Sequence, residues 1–228
     1  MSRPEKDSLS QKARPVYSKK QRVLAFLGLV SLFLFLLTLA ITITINFRPL
    51  YRFSIQRFDL LTISGLDEQR LLANFDQLMN FLNKPWITSM NLPDFPMSKA
   101  GYGHFVDVKY LFLLNYAVLF VTVIPAVLYL LYLKRNARLW QLVRPFQWGM
   151  GVPVFLGFFM AVGFDTFFVK FHELFFANDD WLFDPATDPI INVLPEGFFM
   201  YCFILAFVLL EVFFFLLVLV GRRSLKVK

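Results

Sequence analysis

Charge, histidine and cysteine are all scarce in this 228-residue chain: 17% of residues are charged, two are histidine and one is cysteine. A lone cysteine excludes an internal disulfide, and Cys202 lies inside an apolar run, where it reads as packing. No Gly-x-Ser-x-Gly elbow, phosphate-binding loop or dinucleotide fingerprint occurs, so the usual platforms for a serine nucleophile or a nucleotide cofactor are missing. Low charge against 57% hydrophobic residues also excludes an ordinary soluble domain, whose apolar share is about 45–50%.

What is present is membrane-spanning material. Residues 23–47, 110–133, 146–168 and 198–220 are apolar runs, each long enough for a hydrocarbon core that needs about 20 residues. A spanning segment must satisfy its own backbone polar groups, so all four are predicted as helices. The first is too long for a cleaved signal and has no small-x-small cleavage site, which makes it a retained anchor.

The net charge of +7 is a topology signal and carries no sign of nucleic-acid binding. Lysines and arginines cluster before the first run, in the short connection 134–145 and after residue 220. The positive-inside rule places these on the cytoplasmic face, with both termini, and the long connections 48–109 and 169–197 outside. Trp86 and Trp181 then fall at the outer membrane edge and Trp140 and Trp148 at the inner edge, as aromatic belts require. The expected organisation is a basic cytoplasmic tail at 1–22, a four-helix domain at 23–220 and a second cytoplasmic tail at 221–228.

Within the first long connection, Ser64-Gly65-Leu66-Asp67 matches a capping box. Leu71, Phe75, Leu78 and Leu82 then share one helical face, and Asn83-Lys84-Pro85 ends the run. The fold class is therefore an all-α membrane protein with four transmembrane helices and an extracytoplasmic amphipathic helix in the first outer loop. That helix either packs on the bundle ends or lies in the interface as a guide for a lipid-like substrate. In the third run, Gly157 and Ala161 form a small-xxx-small pair suited to close helix packing.

Polar chemistry concentrates where the chain has least of it elsewhere. His172 and Glu173 precede Asp179, Asp180, Trp181, Asp184 and Asp188 in the second outer connection, while His104 precedes Asp107 at the entry to the second helix. Each histidine alone reads as an interfacial structural residue or a catalyst; both on one face, each near a carboxylate, point to proton transfer. His104 at a helix start is expected neutral, as a base, and His172 near a helix end charged, as a donor or acid. Asp184-Pro185 and Asp188-Pro189 favour turns. A metal site built from the histidines with Asp107, Glu173, Asp179 or Asp180 is the competing use, but no metal-binding histidine spacing is present. Asp165 and Glu211 are costly in hydrocarbon; a partner such as Tyr129 or Tyr132 is expected for Glu211.

The pattern His104-x-x-Asp107-Val108-Lys109, followed by Phe171-His172-x-x-Phe175-Phe176 and Asp-x-x-Trp181-Leu-x-Asp184-Pro-x-Thr187-Asp188, resembles the lipoprotein intramolecular transacylase (Lit) family of Gram-positive bacteria. The resemblance implies a multi-pass bacterial cell-membrane enzyme without a cofactor. Its substrates would be diacylglyceryl-modified lipoproteins among membrane lipid. It implies transfer of the sn-2 acyl chain of the S-diacylglyceryl-cysteine to that cysteine's α-amino group, giving the lyso form. His104 and His172 would be catalytic and the neighbouring carboxylates and Trp181 supporting. Readings from other classes are a metal-dependent membrane hydrolase and a non-enzymatic membrane partner or sensor.

Overall fold

A computed structural model describes residues 18–226, which contain helices and no strand. Most of the basic tail read at 1–22 lies outside them. Four helices are long and apolar enough to cross a membrane: α1 (Lys19–Ile45), a later helix Lys99–Arg135, the segment Leu139–Val162 and the last helix Glu196–Lys226. Their side chains face outward in large numbers. Phe120, Val121 and Ile124 are about two-thirds exposed or more, as side chains that face lipid are.

Residues 19–22, read as tail, are already helical. Ser18 and Gln21 form a reciprocal capping box, each side chain bonding the other's backbone N–H, and this starts α1 a turn early. Between α1 and the second span lie α2 (Arg48–Arg57), α3 (Leu60–Ser64) and α4 (Glu68–Asn83). The capping box expected at Ser64 is not the one used. Ser64 ends α3, Gly65 turns the chain at φ +67°, and Asp67 caps α4 by accepting from the Arg70 N–H at 2.8 Å. Leu71, Phe75, Leu78 and Leu82 on α4 are all buried.

The second span, α5 (Lys99–Arg135), accommodates Pro125 and packs along α1. The third begins with a 3₁₀ turn (Leu139–Leu142) and continues through α6 (Val143–Gly149) and α7 (Gly151–Val162). The single helix expected over 146–168 is broken. Gly163 is extended (φ −168°, ψ 91°), and α8 (Phe164–Phe175) starts again from it. A second 3₁₀ turn (Pro189–Asn192) precedes α9 (Glu196–Lys226), which packs on α1, α6 and α7. Among the described residues the buried Oε1 of Glu211 on α9 has no hydrogen-bond partner, and the Tyr132 hydroxyl accepts from Arg138 at 3.1 Å.

Two cores hold the chain. One lies within the bundle: Leu32, Leu36 and Ala40 of α1 meet Ala126, Tyr129 and Leu133 of α5, with Leu142, Phe146, Leu210 and Phe214. The other lies at the bundle end opposite the basic cluster and is built from both long connections. Tyr51 stacks on Phe75 (ring centroids 3.8 Å apart), meets Phe198 edge-on, and donates its hydroxyl to the Val193 carbonyl at 3.2 Å. Leu71, Leu78, Phe81, Leu92, Phe95, Phe105, Ile190 and Leu194 complete this cap. Asp94 anchors the approach to α5 by accepting from Asn74 at 2.7 Å and pairing with Arg70. Lys109 donates to the Lys84 and Ile87 carbonyls and lies over the Phe81 ring.

Glycine positions report how tight the bundle is. A Cβ at Gly28 of α1 would lie 2.5–2.9 Å from atoms at the base of the Tyr129 side chain, whereas one at Gly151 meets open space. Overpacking costs about 1–3 kcal/mol, more than the ~1 kcal/mol that alanine gains over glycine in a helix. Gly28→Ala should therefore lower the melting temperature in detergent, and Gly151→Ala should leave it unchanged or raise it. A Gly28→Ala protein as stable as the parent would show that the α1–α5 contact is looser than described.

Candidate active site

His104 and His172 come together from elements that are distant in sequence. His104 lies in the second turn of α5, three residues after the buried Gly101, and its position is fixed where the helix start enters the cap. His172 lies in the last turn of α8, one turn before the helix ends at Phe175. Their ring centroids are 5.7 Å apart, and both residues are more than nine-tenths buried.

The walls are aromatic. Phe176 and Phe183 meet His104 edge-to-face at 4.8 and 5.5 Å. Trp181 stacks on His172 at 4.8 Å, with Phe168 at 4.2 Å on α8. Such walls exclude water and, apart from the Trp181 indole N–H, offer no side-chain donor, so each imidazole nitrogen is conspicuous. His172 Nδ1 is 2.8 Å from the Phe168 carbonyl, which only accepts; Nδ1 must carry the proton, leaving the Nε2 lone pair free. His104 Nδ1 is buried and has no partner among the described residues.

Burial pushes the His172 imidazole below its usual range, and the Phe168 carbonyl only partly opposes this. The charged state expected from the helix end is therefore overturned: removal from water outweighs the helix-terminal field at this site. The nearby carboxylate does not reverse it, because Glu173 is half-exposed and pairs with Lys170 at 2.6 Å. His172 is a neutral imidazole with an open acceptor.

The remaining acids divide by location. Asp107 accepts from Asn178 at 3.0 Å and so ties α5 to the second connection. Asp180 lies over Gly103, where a Cβ would be 2.9 Å from its Oδ2. Asp179 is exposed and its carbonyl accepts the Leu182 N–H. Asp184 is an exposed turn residue whose Oδ1 accepts the Ala186 N–H at 2.9 Å. Asp188 is buried and reaches the start of α5, accepting the Ser98 N–H. Among the described residues no group of three or more His, Cys, Asp or Glu is arranged to hold a metal ion. Phe176 belongs to the Phe171-His172-x-x-Phe175-Phe176 motif, whereas Phe183 and Asn178 join the site from positions that the sequence reading did not single out.

A lipoprotein intramolecular transacylase Lit family model matches residues 26–199. The chain belongs to that family. It is accordingly an integral membrane acyltransferase that acts on lipoproteins. The solved structure of membrane-integral Lit from Bacillus cereus superposes with a TM-score of 0.85 at 29% identity, covering 90% of this chain and 95% of that one. A variant of the same Bacillus cereus protein, with one histidine replaced by arginine, superposes with a TM-score of 0.77 over 90% and 92% of the chains, again at 29% identity. Nothing matches among curated proteins.

The state of His172 gives a direct test. A folded pKa depressed below the unfolded ~6.5 contributes stability that is present above that pH and lost as pH falls through the folded value. In ¹³C-histidine spectra of the detergent-solubilised protein, one imidazole absent from His172→Gln should stay neutral at pH 6.5 and protonate only at lower pH. Protonation of that resonance above pH 6.5 would contradict the buried neutral ring.

Proposed function

We propose that the two histidines carry out acyl transfer within one lipoprotein, from the sn-2 ester of its S-diacylglyceryl-cysteine to the α-amino group of the same cysteine. The observation that carries this reading is the pair of buried imidazoles 5.7 Å apart, one with a free Nε2, in an aromatic pocket at the end of a membrane-spanning bundle. By the positive-inside rule the basic end and both termini face the cytoplasm, and the histidine end lies outside. There the acyl chains rest in hydrocarbon while the ester and amine reach the interface.

The free nitrogens suggest roles exchanged from those that helix ends alone imply. The neutral amine attacks the sn-2 carbonyl carbon, forming the C–N bond. His172 Nε2 accepts the proton released from nitrogen, and an N–H of His104 donates to the developing oxyanion. Collapse breaks the C–O bond to glycerol, and His172 returns its proton to the departing oxygen. The products are an amide and a free glycerol hydroxyl, with no net proton change and no water consumed. Both reacting groups belong to one molecule, so orientation supplies much of the rate and no enzyme nucleophile is required. Asp107 steadies the connection through Asn178, and Trp181 holds the His172 ring by stacking.

The test is mass spectrometry of a reporter lipopeptide in a host that makes only the diacylglyceryl form. Expression of this chain should give an N-terminus of unchanged total mass with one acyl group on the amine. His104→Ala and His172→Ala should each cut conversion by roughly 10²–10⁴-fold, the range for general acid–base groups. Persistence of the diacylglyceryl form beside abundant folded protein would refute the reading, and an acyl group trapped on the enzyme would refute the direct mechanism.

A further inference from the structure

The start of α5 is capped by two parts of the chain. Ser98 is its N-cap, and the Ser98 hydroxyl accepts the Gly101 N–H at 3.0 Å. In a complete capping box the side chain three residues on returns the favour by accepting the N-cap N–H. That position is Gly101, which has no side chain. The missing acceptor comes from ninety residues away: Asp188 Oδ1 accepts the Ser98 N–H at 2.8 Å, and Oδ2 accepts the Thr187 hydroxyl at 2.7 Å.

The fit is reciprocal. A Cβ on Gly101 would overlap Asp188 Oδ1 and lie 2.9 Å from its Cγ, so the carboxylate occupies the space a local capping side chain would fill. Asp188 is only 3% exposed, and no ion pair to it occurs among the described residues. A buried carboxylate in that position is tolerated only when hydrogen-bonded. The Thr187 bond is local to the second connection, whereas the bond from Ser98 exists only while that connection is docked on α5. Between Asp188 and the Asn178–Asp107 bond lie Trp181 and Phe183, which press on His172 and His104 respectively.

We propose that Asp188 is a positioning residue: by completing the α5 capping box in trans it latches the second connection onto the helix that carries His104, and so sets the spacing of the two histidines. The proposal rests on the transacylase reading for its effect on activity, but the latch itself is measurable without substrate.

The experiment combines lipopeptide conversion with carbethoxylation of His104 by diethyl pyrocarbonate, read by peptide mass spectrometry, and melting in detergent. Asp188→Asn keeps a carbonyl acceptor for Ser98 and should retain protection of His104 and most activity. Asp188→Ala should expose His104 to several-fold faster modification and lower conversion by roughly 100-fold, the scale of an ångström-size misplacement. Gly101→Glu combined with Asp188→Ala restores a capping box within α5 but removes the latch. That protein should melt near the parent temperature while His104 stays reactive and conversion stays low. Recovery of both protection and activity in the double variant would reduce Asp188 to a helix cap and overturn the proposal, as would an Asp188→Ala protein that is folded, protected and active. If the parent shows no conversion, the transacylase reading fails, and the change in His104 modification still decides the latch.

Discussion

Tyr51 joins two stretches of chain that the spans would otherwise leave as separate loops. Its ring stacks on Phe75 and meets Phe198 edge-on while its hydroxyl donates to the Val193 carbonyl. A phenol so buried must find an acceptor, and the one it finds belongs to the second connection. The two connections therefore share a core in place of packing separately on the spans. Everything chemical in the molecule hangs from that shared core: Phe105 lies in it beside His104, and Ile190 and Val193 lie in it just past Asp188.

The cap explains why the histidines sit where they do. A charged side chain in hydrocarbon is costly, and one fully in water would have an ordinary proton affinity. At the end of the bundle, under aromatic residues, His172 is removed from water yet keeps a single strong anchor in the Phe168 carbonyl. That one bond fixes the tautomer and aims the basic nitrogen away from its own helix. The chain achieves this with very few charges because the carboxylates nearby serve turns and caps, as Asp184 and Asp188 show.

Much of this was legible in the sequence, for identifiable reasons. Apolar run length needs no tertiary information, and all four spans follow from it. The family resemblance rested on the histidine motifs, and the family match over residues 26–199 bears it out. What was not legible depends on contacts between distant segments. Ser64 and Asp67 both satisfy the local rule for a cap, and only the turn at Gly65 selects Asp67. The break at Gly163 is invisible to hydropathy, because its immediate neighbours Val162 and Phe164 are apolar and helix-compatible. The protonation of His172 was misjudged by reading a helix end without its burial. The second half of the α5 capping box could not be found by scanning Ser98-x-x-Gly101, since its acceptor is Asp188.

An intramolecular reaction asks little of its catalyst in the way of functional groups. In the proposed transfer the substrate brings both nucleophile and electrophile, so the protein has to hold a lipid-anchored cysteine in one bent conformation and move a proton between its amine and its glycerol oxygen. A nucleophile would be superfluous, and extra carboxylates would stabilise the ammonium form of the amine, which cannot attack. A dry aromatic pocket does the reverse, disfavouring ammonium and strengthening each hydrogen bond made inside it. The scarcity of charged and nucleophilic residues in this chain is then the chemical requirement itself: two imidazoles suffice, provided the segments that carry them cannot slide apart.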